Sequence, residues 1–420
     1  MSTILEHPKA QELLDQTEVK PNTVRRCTEH LSRFINRYLP CFYRPEQRHH
    51  AAVILKGKLT GLQRKTTEPI AIEHGLKRRP LQQFVGAGGW SDDTVLGDLR
   101  RHVDAELGEP NGALVMDGSG FPKKGTASCG VARQWCGCLG KVDNCQVGVF
   151  LGYVAERGKA LIDCQLYLPE DRANDSLHRN KTYVPKAIAF QEKWRIGLEL
   201  VKTSGQEVTH GWVLGDDEFG RVIELRHELR QQDERYVLDV PCNTAVRDVS
   251  AGKSARFERV DQWAARQSKK RWKKVRLPGG AKGPRAVRVL QQVMPTKDEE
   301  QRLGPTDRVV VIKTVEAQPQ VWYTVSNAVK DVPVAEVVKA HGRRHGIEEL
   351  LEEGKQEVGL SHYEVRSWTG WHHHMTLTML ALWFVQLERL ELGEKKSGAN
   401  GLVDCGNLQG VAALANAQCG

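Results

Sequence analysis

The order of apolar segments between residues 113 and 241 limits the folds that this chain can adopt. Runs that alternate between apolar and polar residues predict strands, and runs with a 3.6-residue period predict helices. The segments read strand, strand, strand, helix, strand, helix, strand, at 113–120, 145–156, 159–169, 183–205, 211–215, 221–231 and 235–241. The first three predict an antiparallel meander, because a turn-like ERGK joins the second to the third. The whole order predicts an α/β fold with a mixed sheet.

Two of the predicted strands carry an aspartate at the end of an apolar run. The first reads ALVMDGSG and contains Asp117, and the fourth stops at Asp216 in WVLGDDEFG. A single aspartate in such a position is commonly a cap or turn residue. The two aspartates together indicate a functional site only when a third acidic residue completes a set of carboxylates.

The third acidic residue lies in HGRRHGIEELLEEGKQEVGL, residues 341–360, which we interpret as one helix. Arg344, Glu348 and Lys355 are four and then seven residues apart, so a helical period places them on one face. An apolar stripe runs beside them and consists of Ile347, Leu350, Leu351 and Val358. A surface helix with charge pairs four residues apart is the alternative interpretation.

Two strand-end carboxylates and one helix carboxylate form a ligand set for divalent cations. Asp117, Asp216 and Glu348 can hold two such ions roughly 3.5 to 4 Å apart. One ion would activate a water or a 3′-hydroxyl, and the other would stabilise the leaving oxygen of an in-line displacement at phosphorus. Hard oxygen ligands select Mg²⁺ or Mn²⁺ over zinc.

The charge balance suits a partner with a phosphate backbone. The chain has 61 Lys and Arg against 52 Asp and Glu, a formal net charge of +9. It contains no apolar run of about 18 residues, the length of a membrane span. Its N-terminus lacks the basic-then-apolar layout of a signal peptide. We therefore expect a cytoplasmic protein without membrane contact, whose ten cysteines are reduced.

Residues 1–108 are polar and helical by pattern, and residues 68–90 resemble a helix-turn-helix. Gly75 would form the turn, and four apolar residues would pack inside: Ile70, Ile72, Leu76 and Leu81. Arg78 and Arg79 would face outward on the second helix, which such a unit can place in the major groove of DNA. A helical bundle with a glycine turn is the alternative.

The remaining chain divides by composition. Residues 242–318 are strongly basic, with KKRWKKVR at 269–276, but they include strand-like RVVVIKTVE, so we predict a partly β insertion. Residues 109–241 and 319–390 would form one catalytic core. Residues 391–420 are rich in Gly and Ala and predict a flexible tail. The segment order with this insertion is that of a ribonuclease H-like core.

At these motifs the chain resembles the DDE-class transposases of bacterial insertion sequences, specifically the cut-and-paste group with a Y-R-E-K signature. That signature places Tyr, two residues, Arg, three residues, Glu, six residues and Lys. Arg344, Glu348 and Lys355 stand at those spacings, and His341 stands where the Tyr is expected.

The aspartate motifs carry the rest of this resemblance, which spans residues 60–390. They read LVMDGSGFPKKG and WVLGDDEFG, and the second matches the family pattern at Asp216 rather than at Asp217. The resemblance implies an enzyme that binds the terminal inverted repeats of its element, cleaves both ends and joins the freed 3′-hydroxyls to target DNA. It also implies a homodimer that pairs two ends, in the nucleoid of a bacterium.

The resemblance also implies residue roles. Asp117, Asp216 and Glu348 would be catalytic and would bind two Mg²⁺ or Mn²⁺ ions. Arg344 and Lys355 would contact phosphates at the transposon end, as fixed cations can.

Several further residues are candidates for DNA contact. His341 can hydrogen-bond a phosphate, more strongly when it is protonated. Lys123 and Lys124 lie close to Asp117 in the sequence, where a solvated turn is the alternative. Enzymes of this group often cleave through a hairpin with one base flipped onto a tryptophan. Trp272 in the basic insertion is the candidate for that stacking, or it packs in the insertion's own core.

Three other functions remain open. The first is a ribonuclease H-like nuclease that cuts without joining, and the second is a domesticated transposase that binds DNA without chemistry. The third is a zinc-organised interaction protein built on four clustered cysteines, Cys129, Cys136, Cys138 and Cys145. Their spacing, C-x6-C-x-C-x6-C, is not a standard zinc-ligand spacing.

Overall fold

The computed structural model describes residues 21–252, 255–280 and 283–394. Residues 395–420 of the predicted tail lie outside that range. Residues 21–107 are helical without strands, as the sequence predicts. Their helices are α1 (Pro21–Tyr38), α2 (Pro45–Lys58), α3 (Thr67–Glu73), α4 (Arg78–Ala87) and α5 (Asp92–Leu107).

The described strands belong to one sheet. They are β1 (Ala113–Pro122), β2 (Ala132–Cys136), β3 (Lys141–Val154), β4 (Lys159–Leu166), β5 (Trp212–Gly215), β6 (Tyr236–Asp239), β7 (Ala245–Val246), β8 (Glu258–Arg259), β9 (Lys273–Gly280), β10 (Gly283–Lys297), β11 (Leu303–Thr314) and β12 (Val321–Ser326). The order is β2-β3-β1-β5-β6-β12-β11-β10-β7-β8, with β4 paired to β3 and β9 paired to β10.

Helices after β4 cover this sheet or join its strands. They are α6 (Glu170–Asn174), α7 (Ser176–Thr182), α8 (Lys193–Gly205), α9 (Asp217–Gly220), α10 (Ile223–Gln231), α11 (Val260–Ala265), α12 (Val334–Arg343), α13 (His345–Glu357) and α14 (Trp368–Glu394). The helix predicted at 183–205 begins only at Lys193. Tyr183 ends α7 in the left-handed region, at φ 55°, and so the chain turns before α8 starts.

Local sequence signals account for several of these bounds. α5 begins after Ser91, whose hydroxyl oxygen accepts a hydrogen bond from the Thr94 backbone N–H at 3.2 Å. Asp92 and Asp93 occupy its first turn, where the helix dipole favours acidic side chains. β3 is buried continuously at residues 145–154, because helices and neighbouring strands cover both of its faces.

The central strands have the predicted ribonuclease H-like arrangement. β1 pairs antiparallel with β3, and β3 pairs antiparallel with β4, which confirms the predicted meander. β5 pairs parallel with β1, and β6 pairs parallel with β5. The result is a mixed sheet with its parallel strands in the middle, as the segment order predicts.

Strands of the predicted insertion continue this sheet through β12, which lies in the predicted core at 319–390. β12 pairs antiparallel with β6 and with β11, and β10 pairs with β11, β9 and β7. The partly β character predicted for residues 242–318 is therefore present in their described part. The proposed division into a core and an insertion stays a prediction, since the strands of both share one sheet.

α14 is the central helix of the fold. It packs against β4 and against α2, α4 and α5. Every residue in the range 371–388 is buried. His373 stacks on Trp90 with their ring centroids 3.7 Å apart. The N-terminal helices and the sheet thus share one core around α14, and a separate DNA-binding domain at 1–108 stays a prediction.

Residues 68–90 contain two helices joined by a turn, α3 and α4, while their assignment as a DNA-binding helix-turn-helix stays a prediction. Gly75 between them has φ +64°, a left-handed conformation that glycine adopts without strain. Ile70 and Leu81 are buried as predicted, but Ile72 is 72% exposed, so its predicted packing is wrong. Two residues along a helix turn the side chain by about 200°, so Ile72 faces away from the core that Ile70 enters.

Residues 341–360 do not form the single helix that their pattern predicts. α12 ends at Arg343 and α13 begins at His345. At the junction the Arg344 N–H donates to the His341 carbonyl and the Ile347 N–H donates to the Arg344 carbonyl. These i to i+3 bonds tighten the backbone and interrupt the α-helical ladder. The predicted apolar stripe is nevertheless buried.

No helix among the described residues is long and apolar enough to cross a membrane.

Lys58 is a buried cation whose ammonium nitrogen has no hydrogen-bond partner among the described residues. It lines a cavity of about 170 Å³ next to α4. Burial, followed by the charge of Lys65, lowers its pKa from 10.5 to about 7. Between those two values the unfolded chain binds more protons than the folded one, so stability rises with pH across this window.

We therefore expect Lys58→Met to raise the free energy of unfolding by about 1–3 kcal/mol at pH 6, because it removes an unsatisfied buried cation. The gain should shrink as the pH rises from 7 to 10. Urea unfolding at pH 6 and pH 9 measures both effects, with Lys77→Met on the exposed turn as the control. Equal stability of Lys58→Met and wild type at pH 6 would contradict the assigned burial cost.

Candidate active site

Three aspartates lie in one row at the carboxyl edge of the parallel strands. The register pairs Met116 of β1 with Gly215 of β5, and Gly215 with Leu238 of β6. The next residue on each strand is an aspartate, namely Asp117, Asp216 and Asp239. In open α/β sheets this edge is where ligands bind, so the row marks a candidate active site.

Burial and repulsion perturb the two aspartates that the sequence predicts for the site. Burial, followed by the charges of Asp216 and Glu348, raises the pKa of Asp117 to about 7. Burial, followed by the charges of Glu218 and Asp217, raises the pKa of Asp216 to about 6. Shifts of this kind indicate negative charge that the surrounding protein does not neutralise.

Glu348 lies in the first turn of α13 and completes the predicted carboxylate set. Its Oε1 accepts a hydrogen bond from Arg344 Nη1 at 2.6 Å, and its Oε2 lies 2.7 Å from His345 Nδ1. Its charge acts on Asp117 across the site. The structure therefore brings Asp117, Asp216 and Glu348 together from two strands and one helix.

Asp239 is an acidic residue of this site that the sequence analysis did not single out. Its Oδ2 lies 3.0 Å from Arg344 Nε, and its Oδ1 lies 3.0 Å from His341 Nε2. A signal was present, because RYVLDVP is a third apolar strand that stops at an aspartate. Arg344 bridges Asp239 and Glu348, and His341 contacts Asp239 from the last turn of α12.

An open cleft of about 430 Å³ runs beside these carboxylates. It is lined by Asp216, Asp217, Asp239, Val240, Pro241, Cys242, Val321, Trp322, Tyr323, Arg344 and Glu348. The indole of Trp322 meets the His341 ring edge-on, with centroids 5.7 Å apart. Trp322 was missed, because nothing in the sequence distinguishes it from the other tryptophans. Trp272, the predicted stacking residue, is half-buried and packs against the main core.

Two predicted phosphate contacts are held by aromatic rings in this structure. Lys123 Nζ lies 3.3 Å from the centroid of Tyr363 and donates to the Tyr363 carbonyl at 3.4 Å. Burial lowers its pKa to about 8. Lys355 Nζ lies 5.4 Å from the Phe121 ring centroid, two turns along α13 from Glu348. Lys124 is exposed.

The arginines predicted to contact DNA from the second helix of the helix-turn-helix are on the surface. Arg78 pairs with Glu68 at 2.6 Å, and both side chains are exposed. Arg79 is exposed as well. DNA contact by either residue stays a prediction.

The predicted carboxylates fit a divalent cation by their chemistry, although no three of them have oxygen atoms within 4.8 Å of one another in the described structure. Asp117, Asp216 and Glu348 offer only carboxylate oxygens, which are the ligands that Mg²⁺ and Mn²⁺ prefer. Burial is the main cause of the raised pKa values of both aspartates, and the charges of Asp216 and Glu348 add to the shift at Asp117. Arg344 is paired with Asp239 and Glu348, so it does not neutralise the whole set.

The alternative zinc site does not assemble in this structure. Cys129 is buried in the main core, whereas Cys136 and Cys145 form a separate small apolar cluster with Val147. Cys138 is exposed, with its sulfur 3.4 Å from that of Cys136. The four cysteines therefore do not converge on one point.

We expect Asp117→Asn to raise the free energy of unfolding by about 2 kcal/mol at pH 8 in EDTA. The folded-state pKa lies above the unfolded value, so the wild type loses stability as the pH rises from 4 towards 7, and the loss is complete above pH 7. The amide abolishes this loss. Thermal melting between pH 5 and pH 8 measures it, with Asp143→Asn, whose side chain is 35% exposed, as the control.

Added Mg²⁺ provides a second readout of the same charge. It should raise the melting temperature of the wild type at pH 8 and leave Asp117→Asn nearly unchanged, since a bound ion stabilises only the form that binds it. Destabilisation of Asp117→Asn in EDTA would contradict the repulsion assigned to the site.

Two solved structures are similar to this chain over most of its length. A piggyBac transposase synaptic complex with hairpin DNA, determined by cryo-electron microscopy, has a TM-score of 0.41 at 10% identity and covers 93% of this chain and 79% of that chain. The NurA nuclease from Sulfolobus solfataricus has a TM-score of 0.25 at 11% identity and covers 73% of this chain and 94% of that chain. No curated protein matches the sequence.

A family model described as DDE superfamily endonuclease matches residues 37–307, well over half of the chain. The match includes β1 and β5 with Asp117 and Asp216, and it ends before α13, so Glu348 lies beyond it. It confirms the DDE resemblance drawn from the aspartate motifs. The chain belongs to the DDE superfamily of endonucleases.

Proposed function

We propose that this protein is a transposase that binds the terminal inverted repeats of an insertion sequence, cleaves the DNA ends and joins the 3′-hydroxyls to target DNA. The observation that carries the proposal is that Asp216 and Glu348 line an open cleft and that the charges of both act on the buried Asp117. Membership of the DDE superfamily supports the cleavage step. Joining of the ends is supported by the Y-R-E-K spacing around Glu348.

The carboxylates and their neighbours have distinct roles in this proposal. Asp117, Asp216 and Glu348 would hold two Mg²⁺ or Mn²⁺ ions, which supply an activated attacking oxygen and neutralise the leaving oxygen. Arg344 orients the Glu348 carboxylate through a 2.6 Å hydrogen bond. Its planar guanidinium lines the cleft, where it can also contact a phosphate. Asp239, whose Oδ2 lies 3.0 Å from Arg344 Nε, holds Arg344 in that position.

An unpaired basic surface supports DNA as the partner. β9, β10 and the turn before them expose six basic side chains: Lys269, Lys270, Lys273, Lys274, Arg276 and Arg288. The register places Lys274 directly opposite Arg288, a like-charge pair that destabilises an isolated sheet. None of the six forms an ion pair with another described residue. A phosphate backbone would neutralise this surface.

Trp322 is better placed than Trp272 to stack on a flipped base. It lines the cleft beside Arg344 and Glu348, whereas Trp272 packs against the core. A base turned out of the duplex would lie against the indole face. Synapsis of two transposon ends requires two copies of the active site, so we propose a homodimer in the complex with DNA.

Cleavage of a labelled duplex that carries the element's own end tests the proposal. Mg²⁺-dependent cuts at the repeat boundary are expected for the wild type and for Asp233→Asn, whose side chain lies on an exposed turn. Asp216→Ala should give none, because it removes a ligand from the metal set. The products would distinguish a hairpin from a plain nick.

Strand transfer separates a transposase from a nuclease of the same fold. A pre-cleaved end with a free 3′-hydroxyl, incubated with plasmid and Mg²⁺, should become covalently joined to the plasmid. Cleavage without joining would identify a nuclease, and tight end binding without either reaction would identify a domesticated DNA-binding protein. Cleavage that survives Asp216→Ala would place the active site elsewhere.

A further inference from the structure

The helix α1 and the helix α14 meet through four side chains that commonly bind metals. α1 contributes Cys27 and His30, and α14 contributes Glu388 and Glu391. Each pair is spaced i, i+3, so both of its members lie on one face of their helix. The four residues therefore form the contact between the N-terminal helix and the C-terminal helix of the described chain.

The donor atoms of this cluster are already close together. One donor atom each from His30, Glu388 and Glu391 lies within 4.8 Å of the other two. His30 Nδ1 is in direct contact with Glu388 Oε1 and lies 3.6 Å from Glu391 Oε1. Tetrahedral ligands at roughly 2.0–2.1 Å from a zinc ion are about 3.4 Å apart. The Cys27 thiol lies beside this group of three and donates to Glu388 Oε2 at 2.9 Å.

Burial gives the cluster a closed side and an open side. The Glu388 side chain is fully buried and Cys27 is buried beside it, whereas the Glu391 side chain is 40% exposed. The open side gives an ion a path to the buried carboxylate. The Phe384 ring, 5.6 Å from the imidazole, restricts the orientation of His30.

The cluster contains a fully buried carboxylate, that of Glu388. Two carboxylates face one imidazole, and Arg26 Nε lies 4.0 Å from Glu391 Oε2. Burial, followed by the charge of Glu388, raises the pKa of the Cys27 thiol to about 12, and the hydrogen bond that His30 donates to Glu388 raises the pKa of His30. A buried carboxylate is stabilised by a neighbouring cation, and a bound metal ion would supply one directly at Glu388.

We propose that His30, Glu388, Glu391 and Cys27 bind a zinc-class divalent ion that joins α1 to α14. Imidazole and thiolate ligands together with carboxylates select zinc and similar transition metals over Mg²⁺, which prefers oxygen alone. Binding releases the Cys27 proton to solvent and displaces any proton from His30. The site is separate from the carboxylates of the cleft, so it does not depend on the proposed function.

Metal content and melting temperature of the full-length protein, purified without a histidine tag, test this proposal. The wild type should retain stoichiometric zinc after dialysis against Mg²⁺, and EDTA should lower its melting temperature. His30→Gln and Glu391→Gln should lose the zinc and the EDTA effect, whereas Glu29→Gln, exposed on α1, should retain both. Dialysis against Mg²⁺ occupies the carboxylates of the cleft, so the remaining zinc reports on this cluster.

Cobalt substitution tests the sulfur ligand. The thiolate-to-cobalt charge-transfer band of the wild type should disappear in Cys27→Ser and persist in Cys136→Ser, because Cys136 belongs to a different cluster. Zinc that is absent from the wild type, or unchanged in His30→Gln, would overturn the proposal. A Glu388→Gln variant that is more stable than the wild type with or without zinc would also overturn it, because the cluster would then be a metal-free buried ion pair.

Discussion

Replacement of Glu348 by glutamine is expected to lower the rate of Mg²⁺-dependent strand cleavage by roughly 10²- to 10³-fold, a loss typical of a group that stabilises transition-state charge. The amide keeps the size of the side chain and an oxygen for Arg344 Nη1. It removes the negative charge that acts on Asp117, and with it one anionic ligand of the metal set. A single-turnover assay on the labelled end duplex measures the rate.

Glu349→Gln provides a matched control for this prediction. Glu349 is the adjacent residue on α13, but its side chain is exposed and pairs with Lys159 instead of the aspartates. Cleavage by this variant should equal that of the wild type. Equal losses of cleavage rate in both variants would mean that the total negative charge of α13 sets the rate and that Glu348 is not a metal ligand.

Asp239→Asn tests the remaining possibility for the third ligand. Asp239 lies in the aspartate row, but both of its oxygens already face His341 and Arg344. Its replacement should therefore weaken cleavage less than Glu348→Gln does, through a looser Arg344. A complete loss in Asp239→Asn with full activity in Glu348→Gln would reassign the third ligand to Asp239.

The part of the site that lies on strands could be predicted from the sequence. An apolar run that stops at an aspartate is a local signal, and it identified Asp117 and Asp216. Parallel register then aligns the ends of neighbouring strands, which is why both reached one edge of the sheet. Asp239 carries the same signal, but the expected ligand set was already complete without it.

The contacts around Arg344 could not be read from the sequence. The spacing of Arg344 and Glu348 predicted one helix face, and their hydrogen bond is present. The break between α12 and α13 depends on how each helix packs, and no proline marks it. It allows Arg344 to reach Asp239 while His341 contacts the same carboxylate from α12. Such pairings depend on tertiary structure, which helical periodicity does not encode.

The same limit explains the N-terminal helices and the insertion. The sequence patterns predicted the helices of the N-terminal segment and the strands of the insertion. They did not predict that α14 joins the N-terminal helices to the core, or that β12 joins the insertion to β6. Lys123 was expected near DNA from its position after Asp117, yet Tyr363 from a distant segment holds its ammonium group. Contacts between segments far apart in sequence determined each of these outcomes.

Asp307→Asn is expected to reduce the free energy of unfolding by about 3–5 kcal/mol, the usual cost of breaking a buried ion pair from one side. Asp307 on β11 is fully buried, and its Oδ2 lies 2.8 Å from Nη1 of Arg226, which is also buried. Its Oδ1 contacts Arg230 and accepts a hydrogen bond from the Tyr236 hydroxyl at 2.6 Å. The asparagine would leave the Arg226 cation without a charged partner.

Urea unfolding at constant pH measures this loss, with Glu224→Gln as the control. Glu224 belongs to α10, as Arg226 does, but its ion pair with Arg302 is exposed, and such pairs contribute at most about 1 kcal/mol. A loss no larger in Asp307→Asn than in Glu224→Gln would mean that water reaches Arg226 and that the pair is not desolvated.

A double variant separates the ion pair from the packing around it. Arg226→Met together with Asp307→Leu removes both buried charges, and Arg230 is 34% exposed and can turn to water. Because desolvation of the pair offsets much of its attraction, the double variant should be more stable than Asp307→Asn alone. Failure to recover would mean that the hydrogen bonds from Tyr236 and Arg230 to Asp307, rather than the charge balance, hold β11 to α10 and β6.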